Sequence, residues 1–171
     1  DWIAFEAGAF YVMDRGYLDF GRLARIDSAR SYFVIRAKSN MISYVNESRP
    51  VDKSTGLRAD QTIRLNGAKT KGLYGSVLRR ISFVDTQTGK TLVFLTNNFE
   101  LEAAVVAKLY KARWQIELFF KWIKQNLRIK SFYGTSENAV KTQIWIAVCA
   151  YLMVAILNKK TGLDENLSRI L

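Results

Sequence analysis

The hydrophobic pattern changes character along the chain. Near the start, Ala9-Phe10-Tyr11-Val12-Met13 is a short apolar run that stops abruptly at Asp14-Arg15-Gly16, which predicts a buried strand with an acid at its carboxyl end. From Tyr17 to Arg30, apolar residues at Leu18, Leu23 and Ile26 stand among charges, the pattern of a short amphipathic helix. Ser31 to Lys38 carries the β-rich text Tyr32-Phe33-Val34-Ile35, a second buried strand. Between Met41 and Phe94 apolar and polar residues alternate, as in Gln61 to Leu65 and Val77 to Val84, which predicts half-exposed strands. The turn text Thr86 to Lys90 joins the last of these to Thr91–Leu95 as a hairpin. Residues 41–98 therefore read as an antiparallel β insertion.

After Glu100 the period becomes helical. Leu101 to Leu127 reads as one long helix, with Leu109, Ile116, Phe120, Ile123 and Leu127 as its core face. A second helix starts behind the N-cap residue Ser136, with Glu137 in its first turn, and runs to about Asn158. Its apolar stretch, Ile144 to Leu157, is shorter than the ~18 residues of a membrane span and predicts a buried core helix. Cys149 lies in that stretch and is expected to be a buried small hydrophobe. The whole chain, 1–171, reads as a single domain.

Composition narrows the chemistry. The 26 Lys and Arg against 15 Asp and Glu leave a net charge of +11, which points to a polyanionic partner, nucleic acid first. The chain has no histidine and one cysteine, so Ser-His, Cys-His and zinc-histidine sites are excluded, as is an internal disulfide. Catalysis would have to rest on carboxylates, lysines or tyrosines with metal ions as helpers. No signal peptide is present in the 171 residues, and a cytoplasmic, reducing setting is expected. The chain begins at Asp1, almost directly in a strand, which reads as a truncated protein.

Two places carry candidate chemistry. Asp14, at the carboxyl end of a strand, sits where open α/β sheets place their ligands, although a turn or N-cap acid explains it equally well. On the long helix, Tyr110, Arg113, Glu117 and Lys124 are three, four and seven residues apart, within roughly 60° on a helical wheel. An ordinary solvated stripe with an i, i+4 ion pair fits that spacing too. The crowd of Trp114, Phe119, Phe120 and Trp122 on the same helix weakens this plainer explanation. Carboxylates from a strand end and a later helix could together hold divalent metals for phosphodiester chemistry. Lys69, Lys71, Arg79 and Arg80 in the insertion could touch DNA but fit a solvated sheet face slightly better.

Tyr110-x-x-Arg113-x-x-x-Glu117-x-x-x-x-x-x-Lys124 resembles the YREK signature of one branch of bacterial insertion-sequence transposases of the DDE type. The local text Leu109 to Lys121, the segment Val12 to Tyr17 and the strand Phe33 to Lys38 also resemble that family, so the likeness covers nearly the whole chain. The resemblance implies an α/β, ribonuclease-H-like catalytic core, incomplete at its N-terminus, with the β insertion before the last catalytic helices. It implies Asp14 and Glu117 as catalytic, metal-binding acids holding Mg²⁺ or Mn²⁺ in a two-metal site. Tyr110, Arg113 and Lys124 would contact DNA. The expected activity is metal-dependent cleavage and strand transfer in cut-and-paste transposition. The partners would be transposon ends and target DNA, bound by a dimer associated with the bacterial nucleoid rather than a membrane. The first aspartate of the family triad has no counterpart upstream of Asp14, so this chain alone is expected to be inactive. A non-catalytic DNA-binding remnant and a ribonuclease-H-like nuclease are the alternatives.

Overall fold

The computed structural model describes residues 3–85, 88–126 and 136–161, with side chains omitted at 122–126 and 158–159. Its contacts divide it into two compact units, Asp1–Arg113 and Trp114–Leu171.

The first unit is built on a six-stranded mixed sheet with the order β1-β2-β6-β5-β4-β3. The strands are β1 (Phe10–Met13), β2 (Tyr32–Arg36), β3 (Ser43–Arg49), β4 (Leu57–Leu65), β5 (Leu78–Val84) and β6 (Thr91–Thr96). β1 and β2 are parallel, linked by helix α1 (Phe20–Ser28), and every other neighbouring pair is antiparallel. β5 and β6 form the hairpin expected from the turn text, and β6 also pairs with β2. The strands read as an insertion thus continue the same sheet. β1, expected to be buried, is an edge strand and only partly covered.

Strand β2 shows why the sheet is covered on both faces. Phe33, Val34 and Ile35 are all fully buried, yet successive side chains point to opposite faces. Phe33 and Ile35 join Ile63, Leu78 and Leu95 beneath Phe20, Leu23 and Ile26 of α1. Val34 joins Ile81 and Phe94 beneath Ala103, Val106, Ala107 and Tyr110 of helix α2 (Ala103–Ala112). Each buried aliphatic or phenyl side chain contributes about 1.5–3 kcal/mol by leaving water.

Local chemistry sets the boundaries. Asp19 caps α1 by accepting the Arg22 amide at 2.8 Å. Ahead of α2, Asn98 accepts the amides of Glu100 and Leu101 through one side-chain oxygen. Gly56, with φ of 90°, closes the turn before β4, where an added Cβ would stand 2.8 Å from the Val84 carbonyl oxygen. Asn97 ties α1 to strand β2: its amide group donates to Asp27 at 2.7 Å and to the Ser31 carbonyl at 2.9 Å, and its oxygen accepts the Phe33 amide.

A buried charge network holds the far half of the sheet. Arg79 grips Asp60 with two hydrogen bonds of 2.8 and 2.7 Å, and both residues are almost inaccessible. Its remaining guanidinium nitrogen donates to the carbonyls of Asn98 and Leu101, on the path into α2. This corrects the expectation of a solvated Arg79. A polar position in an alternating strand faces inward here because a carboxylate on the neighbouring strand neutralises it.

The second unit contains α3 (Trp114–Asn126) and α4 (Glu137–Thr161). The expected single helix from Leu101 to Leu127 is interrupted at Arg113, where the backbone tightens to an Arg113 N–H to Tyr110 carbonyl bond of 3.1 Å. Periodicity does not register a one-residue break between two helices of similar apolar content. The expected core face changes with it: α2 buries Ala103, Val106, Ala107 and Tyr110, whereas Ile116 and Phe120 are exposed. Ile123 and Leu127 fall outside the described side chains.

Ser136 caps α4 through the Ala139 amide at 3.2 Å, as expected. Of the described residues of α4 only Ala147 is buried, so the burial expected for the whole stretch is not found. Ile144, Trp145, Ile146, Leu152, Met153, Ile156 and Leu157 are exposed, and so is Cys149. Apolar residues surround this helix, so hydrophobicity marks no single stripe; its less exposed residues, Ala147, Val148, Tyr151 and Val154, recur at helical spacing, and the Tyr151 ring lies 4.7 Å from that of Phe119. Its stretch Glu137–Leu157 is long and apolar enough to cross a membrane, a test that core helices of soluble proteins also pass.

Candidate active site at the end of strand β1

Asp14 leaves the sheet immediately after Met13. It performs the local task that its position suggested: its Oδ1 accepts the Arg15 amide at 2.7 Å and starts a 3-10 turn over Arg15–Tyr17. The same oxygen also accepts the Tyr110 hydroxyl at 3.0 Å, across 96 residues of sequence. The turn and the long-range contact therefore share one carboxylate.

The sequence spacing of α2 places Tyr110. Ala103, Val106, Ala107 and Tyr110 recur at helical intervals on its buried side, and the Tyr110 ring packs 4.7 Å from the Phe94 ring centroid. The ring is buried while its hydroxyl reaches the strand end. Arg113, one turn further, holds its guanidinium 5.5 Å from the centre of that ring.

Charge favours the ionised acid. The hydrogen bond from the Arg15 amide holds the Asp14 carboxyl below its ordinary range. Partial burial opposes this, and the Tyr110 hydroxyl and the charges of Arg113 and Arg36 lower it further. Tyr110 moves the opposite way: burial raises its pKa, and the bond to Asp14 adds to that. At neutral pH the phenol is therefore a hydrogen-bond donor to a carboxylate.

Arg36 was not singled out from sequence. The parallel register pairs Met13 with Ile35, so residues 14 and 36 emerge side by side. That register was the missing signal. Of the other expected residues, Glu117 is exposed on α3, in the second unit. Lys124 lies two turns further along that helix, and its side chain is outside the described residues. Asp14, Tyr110 and Arg113 are thus brought together within the first unit.

An ionised, partly exposed carboxylate offers the hard oxygen that Mg²⁺ or Mn²⁺ prefers. Asp14 and Glu117 fit such an ion by donor type. Among the described residues no group of three metal-ligating side chains gathers.

Residues 1–153 match the family model for the transposase DDE domain. This chain belongs to the DDE transposase family. Across 158 residues it is 41% identical to a Sinorhizobium fredii protein named as transposase y4zB, covering 90% of this chain and 44% of that protein. It is 33% identical over 159 residues to a protein of Geobacillus stearothermophilus named as the transposase for insertion sequence element IS5377, covering 92% and 41%. A Synechocystis protein named for element IS4SA is 29% identical over 154 residues, covering 85% and 40%. The DDE transposase chain thus spans less than half the length of these relatives.

Proposed function

We propose that this chain forms part of the catalytic core of an insertion-sequence transposase of the YREK-signature branch, built on a ribonuclease-H-like fold. The complete protein would cut DNA at the element's ends and join them to target DNA, acting as a dimer in the bacterial cytoplasm. The observation that carries this reading is the convergence of Asp14, Tyr110 and Arg113 at one strand end. Three members of the expected set meet there, although Asp14 lies 96 residues from Tyr110 in the sequence.

In this reading Asp14 and Glu117 hold divalent metal. Such an ion supplies Lewis acidity for attack of water, and later of a 3′-hydroxyl, at phosphorus. Asp14 is held ionised for this task by the Arg15 amide and the Tyr110 hydroxyl. Tyr110 orients the carboxylate, and its buried ring keeps the hydroxyl in place. Arg113 and Lys124 bind DNA phosphates. The remaining acid of the site would come from the length of the relatives that this chain does not span.

The test is Mn²⁺-dependent nicking of the element's terminal DNA by the complete protein, beside its Glu117→Ala and Asp14→Asn variants. Nicking in the parent and its loss in both variants, with DNA still bound, is the expected result. Equal nicking in parent and variants would overturn the assignment of the two acids. DNA binding with no nicking by any of them would favour a non-catalytic binding remnant.

A further inference from the structure

Arg79 and Arg80 are neighbours on β5 with opposite surroundings. Arg79 points to the α2 face and is neutralised by Asp60. Arg80 pairs across the ladder with Leu95, which pairs with Ile35, and both of those belong to the cluster beneath α1. Directly opposed residues share a face, so Arg80 lies on the α1 side. There it is half-buried, and its partners are neutral. Its Nε and Nη2 both donate to Gln61 Oε1, at 3.1 and 2.6 Å, and Nη1 reaches Ser43 Oγ at 3.4 Å. Gln61 is itself anchored, donating to Ser48 Oγ at 3.1 Å.

Arg80 lines a cleft of about 180 Å³ whose wall also includes Arg15, Arg36, Lys38, Ser39 and Thr91. Four of the nine lining residues are cations and none is acidic. Asp14 stands beside Arg36 and offsets part of this charge, but the cations outnumber it, and such an excess of like charge favours an anion joining them. Arg15 directly follows Asp14, so the cleft adjoins the candidate active site. A planar guanidinium held by neutral acceptors keeps its full charge and loses little freedom on binding the oxygens of a phosphate.

We infer that this cleft is a phosphate site for the DNA backbone, in which Arg80 is a cation contributed by the inserted strands and Gln61 is its positioning residue. The inserted strands would then bind DNA beside Asp14 as well as extend the sheet. The inference rests on the reading of DNA as the partner.

The experiment is the salt dependence of binding to terminal duplex DNA by the complete protein, followed by fluorescence anisotropy without Mg²⁺ or Mn²⁺. Arg80→Ala is expected to weaken binding and to lower the slope of log affinity against log salt by about one. Arg80→Lys should keep the parent's slope. Gln61→Leu leaves the charge in place, so it should keep the slope while weakening affinity by about threefold or more through lost positioning. Should Arg80→Ala fail to fold, Gln61→Leu decides. Parent-like affinity and slope in Arg80→Ala, or parent-like affinity in Gln61→Leu, overturns the inference and leaves the transposase reading standing. A parent protein that binds no DNA overturns both.

Discussion

The two units of this chain treat their apolar residues differently. In the sheet unit, both faces carry a helix, and Phe33, Val34, Ile35, Ile81, Phe94 and Leu95 are buried almost completely. In the helical unit, α4 displays Trp145, Ile146 and Met153 at 66%, 63% and 61% exposure. The contrast separates hydrophobic content from hydrophobic burial. A strand buries its residues through pairing and two covering layers, whereas a helix apolar on all sides needs neighbours all round it. Stability in the sheet unit should therefore respond sharply to single substitutions, and the described surface of α4 should respond little.

The largest expected effect is at the buried ion pair. Arg79→Ala strands the Asp60 carboxylate in the interior and should cost about 3–5 kcal/mol of unfolding free energy in urea titrations. Replacing both partners with apolar residues of similar size should cost much less, because no buried charge remains. A loss near zero for Arg79→Ala would show that Arg49, 3.5 Å from Asp60, suffices as its partner.

Next comes the packed core. Leu95→Ala removes a fully buried side chain and should cost about 2–5 kcal/mol by the same measurement. Ser136→Ala, which removes the cap of α4, should cost about 1 kcal/mol, read as reduced helicity by circular dichroism or a lower unfolding midpoint.

A smaller effect concerns Asp14 and has a definite sign. A carboxyl whose folded pKa is depressed stabilises the fold above the unfolded value of about 3.9. That contribution fades as pH falls through the folded pKa. Tyr110→Phe removes one cause of the depression, so Asp14 should titrate at higher pH than in the parent, measured by carboxyl carbon NMR. An unchanged titration would remove the phenol from the electrostatics of the site. The smallest effect belongs to the exposed helix, where Ile146→Ser should change stability by no more than about 0.5 kcal/mol. A much larger loss would show that this face is covered in solution and would collapse the contrast between the two units.

Much of the architecture was legible from short-range pattern. The strand ending at Met13, the amphipathic segment with Leu23 and Ile26 inward, the β5–β6 hairpin and the Ser136 cap all depend on neighbours within a few residues. Asp14, Tyr110 and Arg113 were legible as candidates for the same reason: a strand end and a helical spacing are local features.

What local pattern could not supply was partnership across the chain. The register that sets Arg36 beside Asp14, the carboxylate that draws Arg79 inward while Arg80 faces a basic cleft, and the Phe94 ring behind Tyr110 all come from distant sequence. The break at Arg113 and the exposure of Cys149 belong with them. Periodicity records which residues can share a side of an element. Only the assembled sheet and its covering helices decide what that side meets, because burial and charge neutralisation depend on which distant groups arrive there.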